Sequence, residues 1–312
     1  MVEPPPGAPS DAHAFAAGSR ATLREGLHRT GAILFRGFAI ATADEFGRFV
    51  SALGHRADLN YDLEPQARQQ SSPLTFESTI SRPDEFLLPH TELAYSLTRP
   101  AVIAFHCERA ADELGETPLF DFQAAFRALP EALRRRFERL RLRYTRRFAE
   151  EYVRLKYGGD RAAAEAGCRR AGATYAWTSA GELDTECLVP CVVPHPVSGE
   201  PTFHFNTQTY GGSLARAFFL HALKRYRSRV RDVSTRTSDL GRGSAAFEDG
   251  TQLDANDERA LCEATWAHAS VFGWQTGDVL VIDNFKVGHG KLPFRGPRKI
   301  NAVIGDLVDL RG

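Results

Sequence analysis

At 312 residues, with 43% hydrophobic and 25% charged side chains, the chain can bury a large core. Its 39 basic and 39 acidic side chains cancel, which removes any global electrostatic case for nucleic acid binding. No uninterrupted apolar run approaches membrane-spanning length, and Met1-Val2-Glu3-Pro4-Pro5-Pro6 lacks the basic-then-apolar order of a secretory signal. Five scattered cysteines, at 107, 168, 187, 191 and 262, complete no paired zinc motif and are expected as ordinary thiols. A cytoplasmic location without membrane contact is the default expectation.

Residues 1–14 are rich in Pro, Ala and Gly and predict a flexible tail; residues 15–312 are expected to form one domain with helical and loop insertions. Arg20 to Arg29 predicts a helix closed near Gly31, and Ala32 to Phe35 a short buried strand. Thr42 suits the N-cap of a helix over Ala43 to Leu53, with Phe46 and Phe49 on its apolar face. Arg56 to Pro83 lacks clear periodicity and predicts an ordered loop over a cavity. Pro100 to His106 predicts strand, Gly115 to Pro118 a turn, and Phe122 to Leu129 and Glu131 to Arg136 two helices parted by Pro130. Leu140, Leu142 and Tyr144 alternate with Arg141, Arg143 and Thr145, the pattern of a strand with one basic face.

Arg161 to Cys168 returns to helix, and Leu183 to Val193 and Pro201 to Phe205 predict strands around a Pro196–Gly199 turn. Leu214 to Arg225 reads as helix, Asp239 to Asp254 as loop, and Glu258 to Trp266 as helix with Asp254 or Asn256 as cap. Val279 to Ile282 and Ile300 to Val308 are late strands. Short strands with helices outside them point to a mainly β fold with peripheral helices, a β-sandwich or jelly roll.

His90 and Glu92 fit alternate positions of a strand and so face the same way. His289 follows the strand-like Asp278 to Asp283 and precedes Gly290, where a loop can close over a metal. Two imidazoles and one carboxylate suit Fe(II) with open coordination positions; zinc and a structural hydrogen-bond cluster are the competing readings. Arg298 offers a directional fork to an acidic co-substrate, and Thr117 can donate a further hydrogen bond. Candidate substrate-facing residues are Asn60, Tyr61, Ser78, Asn206 and Tyr210, the last two supplying an amide and an aromatic hydroxyl. The arginines between Arg134 and Arg147 form either a solvated face or a surface for an acidic carrier protein.

Particular stretches sharpen this reading. They are Leu88-Pro89-His90-Thr91-Glu92-Leu93-Ala94-Tyr95, Gly115-Glu116-Thr117-Pro118-Leu119, His195-Pro196-Val197-Ser198-Gly199-Glu200 and Phe205-Asn206. Farther on come Gly277-Asp278-Val279-Leu280-Val281-Ile282-Asp283-Asn284, His289-Gly290-Lys291 and Pro293-Phe294-Arg295-Gly296-Pro297-Arg298. In these stretches, over roughly residues 30–308, the chain resembles the TauD/TfdA family of Fe(II)/2-oxoglutarate-dependent dioxygenases. The pattern is most similar to its clavaminate-synthase-like and SyrP-like amino-acid hydroxylases.

The resemblance implies a double-stranded β-helix, with His90, Glu92 and His289 as Fe(II) ligands. It also implies that Arg298, assisted by Thr117, binds the distal carboxylate of 2-oxoglutarate. With O2 as co-substrate, the implied reaction hydroxylates an unactivated C–H of a small polar substrate, releasing succinate and carbon dioxide. That substrate is expected to be a free or carrier-tethered amino acid or derivative in specialised metabolism. Glu92 occupies the position that a small residue leaves to chloride in related halogenases, so halogenation is disfavoured. Desaturation and cyclisation stay open. A zinc-dependent hydrolase lacks an evident water-activating base, and a non-enzymatic jelly-roll binding protein is the third reading. His204 departs from the family by standing where an aromatic residue often precedes the Phe205-Asn206 pair.

Overall fold

The computed structural model describes residues 1–5, 11–58, 61–63, 69–78, 82–210, 212–226, 236–237 and 242–311. Two sheets frame the molecule. In the larger, the strands run in the order Ala32–Phe35, Val279–Asp283, Thr98–Arg109, Lys299–Asp309, Thr75–Glu77 and Gln70–Ser72, and Ala57–Asp58 also pairs with Lys299–Asp309. The smaller sheet follows the order Arg236–Thr237, Glu85–His90, Val287–Lys291, Leu119–Asp121 and Ala269–Ser270.

A period of two explains how the larger sheet is covered on both faces. Along Thr98–Arg109, Val102 and Ala104 join one hydrophobic cluster while Ile103, Phe105 and Cys107 join the other. Val279 and Val281 alternate with Leu280 and Ile282 in the same way. The first cluster includes Phe46, Phe49 and Val50 of the helix Ala43–Ala52. The second includes Phe86, Leu88 and Phe120 of the smaller sheet. Phe105 of the larger sheet meets His289 of the smaller at 5.1 Å between rings, so the two sheets face each other across the functional residues. This is the double-stranded β-helix that the sequence implies, with helices outside it.

Local chemistry sets the element ends. Thr42 and Glu45 form a reciprocal capping box, with Thr42 Oγ1 accepting the Glu45 N–H and the Glu45 carboxylate accepting the Thr42 N–H. Backbone N–H groups of Ala41 and Thr42 hold that carboxyl below its usual range. Gly31, at φ 75°, closes the helix Arg20–Thr30, and Asp254 caps Ala255–Ala267.

Four expectations are corrected. Residues 1–14 are not uniformly loose: Val2 bridges to Phe35, and Asp11 caps a helix over Ala12–Gly18 whose Ala12 and Ala16 enter the core. The body of the fold therefore begins before residue 15. The described residues of the Arg56–Pro83 region include three short strands, which borrow their hydrogen bonds from Lys299–Asp309 and from each other. Arg242–Phe247 is strand rather than loop, because it pairs along Leu142–Phe148 despite weak β propensity. The strand expected over Leu183 to Val193 breaks at Pro190 into Leu183–Val189 and Val192–Pro194. Among the described residues no helix is long and apolar enough to cross a membrane.

Candidate metal centre

His90 ends the strand Glu85–His90, and His289 lies within Val287–Lys291; the two residues are register partners in an antiparallel pair. Their ring centroids are 4.4 Å apart, and His289 Nε2 is 3.7 Å from Glu92 Oε2. The three potential ligand atoms lie within 4.8 Å of one another. All three residues are buried, His90 at 7% exposure and the others at 4%.

Two local details differ from the sequence reading. Glu92 lies beyond the strand, so its alignment with His90 does not come from strand alternation. Instead Asn284, just past the strand Val279–Asp283, accepts the Glu92 N–H at 2.7 Å and donates to the Glu92 carbonyl at 3.1 Å and the Pro100 carbonyl at 2.9 Å. Leu93 then takes a left-handed φ of 55°, turning the chain. His289, in turn, sits inside a strand rather than in a loop after one. The sequence shows Asn284 only as part of a motif, and its clamp is invisible to local pattern.

Proton placement distinguishes this cluster from another. His90 Nδ1 is 2.8 Å from the Leu88 carbonyl, which can only accept, so Nδ1 carries a hydrogen and, in the neutral ring, Nε2 holds the lone pair. That is the tautomer of a metal ligand with an outer hydrogen bond to the backbone. His28, His195 and Asp283 also bring ligand-type atoms within 4.8 Å. There, however, His195 Nδ1 accepts the N–H groups of Val197 and Ser198, at 3.2 and 3.1 Å. Its Nε2 must therefore carry the hydrogen, which it donates to Asp283 at 2.9 Å. Asp283 also accepts from Phe285 N–H, and His28 lies 3.3 Å away. The second cluster is a hydrogen-bonded brace, whereas the first matches the donor set of a divalent cation.

The acid-binding candidates approach through strand pairing. Glu113–Leu114 pairs with Phe294–Arg295, and Leu119–Asp121 with Val287–Lys291, so Thr117 is carried between two fixed points. Thr117 is buried and accepts the indole N–H of Trp274 at 3.0 Å. Arg298 packs beside this segment: a Cβ built on Gly115 would lie 3.2 Å from Arg298 Cδ. Burial lowers the Arg298 guanidinium to about 10, partly opposed by Cys107 and Glu116, and leaves it cationic at neutral pH. The buried Lys291, which the sequence shows only within a motif, donates to the Arg82 carbonyl at 2.8 Å and lies 5.0 Å from the Phe294 ring.

The substrate candidates separate. Asn206 is buried and bridges through its backbone to His90, next to the candidate metal ligands. Tyr61 packs edge-on against Phe76 at 5.2 Å, and the Tyr210 hydroxyl accepts the Leu253 N–H at 2.8 Å, so both take part in the packing of the fold. Ser78 donates its N–H to the Ile300 carbonyl at 2.8 Å. Asn60 lies outside the described residues. His204 fills an aromatic role, meeting Phe285 edge-on at 4.7 Å.

The arginine-rich surface is largely self-neutralised. Arg135, Arg136, Arg141, Arg143 and Arg147 pair with Glu131, Asp257, Glu248, Glu186 and Asp184 respectively. Arg146 turns inward, its guanidinium 3.5 Å above the Tyr95 ring. All five cysteines are buried, and burial raises their thiols to between about 11 and about 12, as suits ordinary core residues.

Residues 4–304 match the family described as taurine catabolism dioxygenase TauD, TfdA family. The chain belongs to the TauD/TfdA family. This TauD/TfdA chain is 27% identical over 290 residues to the dapdiamide synthesis protein DdaC of Enterobacter agglomerans, covering 92% of itself and 85% of that protein. It is also 27% identical over 292 residues to a clavaminate synthase-like protein of Arabidopsis thaliana, with 89% and 82% covered. The fold is similar to that of PvcB from Pseudomonas aeruginosa, with a TM-score of 0.56 at 17% identity over 99% of this chain and 87% of that one. A further PvcB structure, at TM-score 0.52 and 15% identity over 94% and 82%, is described as an Fe, alpha-ketoglutarate dependent oxygenase from an isonitrile synthetic pathway.

Proposed function

We propose that this TauD/TfdA family member is an Fe(II)- and 2-oxoglutarate-dependent hydroxylase of a small polar substrate, a free or carrier-tethered amino acid or derivative. The observation that supports this most strongly is the buried convergence of His90, Glu92 and His289, with His90 Nε2 presented as a lone pair. When bound, ferrous iron with 2-oxoglutarate and O2 supplies the oxidising power for an unactivated C–H. His90, Glu92 and His289 would hold the ion while leaving positions for those partners.

Arg298 would restrain the distal carboxylate of the keto acid, and Thr117 would donate to it, fixing the reacting end by geometry. Phe105, packed against His289, helps to exclude water and lowers the local dielectric. Asn206, beside His90, is placed to orient a polar substrate. Glu92 would hold the ion at the position that halide transfer needs, which favours hydroxyl transfer. The dapdiamide and isonitrile associations of the relatives support a substrate from specialised metabolism.

The test is to load the protein anaerobically with Fe(II) and 2-oxoglutarate, add candidate amino acids, admit O2 and weigh the products. One succinate formed per product carrying one added oxygen atom is the expected result. Undiminished substrate oxidation without 2-oxoglutarate would overturn the assignment.

A further inference from the structure

Trp274 donates its indole N–H to Thr117 Oγ1 at 3.0 Å. An indole N–H can only donate, whereas a threonine hydroxyl has one hydrogen and two acceptor lone pairs. With one lone pair engaged by Trp274, the Thr117 hydrogen is directed elsewhere. A carboxylate can only accept. We propose that Trp274 is a positioning residue that sets the Thr117 hydroxyl as a donor toward the distal carboxylate of the keto acid. The inference rests on the reading above, in which Thr117 and Arg298 hold that carboxylate.

The segment carrying the indole is braced on several sides. Arg36 donates to both oxygens of the buried Asp278, at 2.9 and 2.6 Å, and to the Gly273 carbonyl at 2.8 Å. Gln275 N–H reaches Asp278 at 2.8 Å, and Gly277 N–H reaches the Cys107 carbonyl at 2.8 Å. Phe272 meets the Trp274 ring at 4.8 Å. These contacts tie the residues on both sides of Trp274 to the larger sheet through Cys107.

The receiving side is equally fixed. Gly115, at φ 78°, lets its chain pass Phe294 and Arg298 where a Cβ would lie 3.0 Å from Phe294 Cβ and 3.2 Å from Arg298 Cδ. Gly115 N–H donates to the Pro293 carbonyl and Leu292 N–H to the Glu116 carbonyl, at 3.1 and 3.0 Å. Without the indole, the hydroxyl is free to accept from a neighbouring donor and to present a lone pair to the ligand. With it, the hydroxyl is polarised in the productive direction, and the two hydrogen bonds reinforce each other.

The test uses the full chain loaded with Mn(II) and titrates N-oxalylglycine, an unreactive analogue of the keto acid, by calorimetry. Wild type, Trp274→Phe, Thr117→Ala and the double variant are compared. Trp274→Phe is expected to weaken binding about fivefold, the size of a modest net hydrogen bond. In the Thr117→Ala background the same change should cost nothing further, while Mn(II) affinity stays constant throughout. Thr117→Ser, which keeps the hydroxyl, should restore the dependence on Trp274.

Unaltered binding by Trp274→Phe, or an equal loss in both backgrounds, overturns the proposal. Should Trp274→Phe fail to fold, exchange of the Trp274 indole hydrogen in otherwise wild-type protein gives the answer. It should slow when the analogue binds and lose that protection in Thr117→Val; protection that persists in Thr117→Val overturns the proposal. Failure of Mn(II)-loaded wild type to bind the analogue at all refutes the co-substrate reading itself, and this inference with it.

Discussion

Glu92 leaves the strand that carries His90, and its main chain is then held by one side chain 192 positions away. Replacing Asn284 by Ala strands a buried N–H, at a cost of about 1–3 kcal/mol. It also frees the carboxylate proposed as a ligand, so Mn(II) affinity should fall about 10–100-fold, the scale of an outer-shell partner. Thermal unfolding and metal titration check both halves; unchanged metal affinity would show that Glu92 does not depend on the clamp. Ligand chemistry restricts residue type, which is why His90, Glu92 and His289 stood out in the sequence. An asparagine after a strand is equally at home in any turn, so the role of Asn284 was not legible.

Elements were readable where one local rule governs them. The helix Ala43–Ala52 follows from its capping residues and apolar spacing, and it was expected within one residue. Thr42→Ala should remove about 1 kcal/mol from stability, measured by urea unfolding, with activity retained. A loss near zero would mean that Glu45 alone maintains the helix start. Strands that depend on a distant partner are harder to read. Arg242–Phe247 contains Gly243 and Ser244, weak strand formers, and exists through pairing with a segment about 100 residues earlier. The position of His289 inside a strand was hidden for a related reason, since Gly288 and Gly290 flank it. Both glycines are demanded by tertiary approach, because a Cβ at Gly290 would lie 2.5 Å from the Leu87 carbonyl oxygen.

Over the whole molecule, burial rather than net charge sets the acid response. Burial pushes His106 below its ordinary value, partly opposed by its bond to the Ile40 carbonyl, and pushes His204 well below. Each therefore stays neutral in the fold below about pH 6.5, where the unfolded chain takes up a proton. The unfolded state then binds more protons, so stability falls as pH drops from about 6.5 toward the folded values. The slope is about 1.4 kcal/mol per pH unit for each such histidine. His204→Phe, which keeps a ring against Phe285, should remove one histidine's share from urea unfolding measured between pH 7.5 and 5. An unchanged slope would show that His204 is not the proton acceptor.

Two clusters of histidine and carboxylate lie among the described residues, and hydrogen placement favours only one of them as a ligand set. The most direct measurement is a crystal structure of the protein loaded with Fe(II) under anaerobic conditions. One ion contacted by His90 Nε2, an imidazole nitrogen of His289 and the Glu92 carboxylate is the predicted result. An ion seated on His28, His195 and Asp283, or a loaded protein in which His90, Glu92 and His289 share no ion, would contradict it.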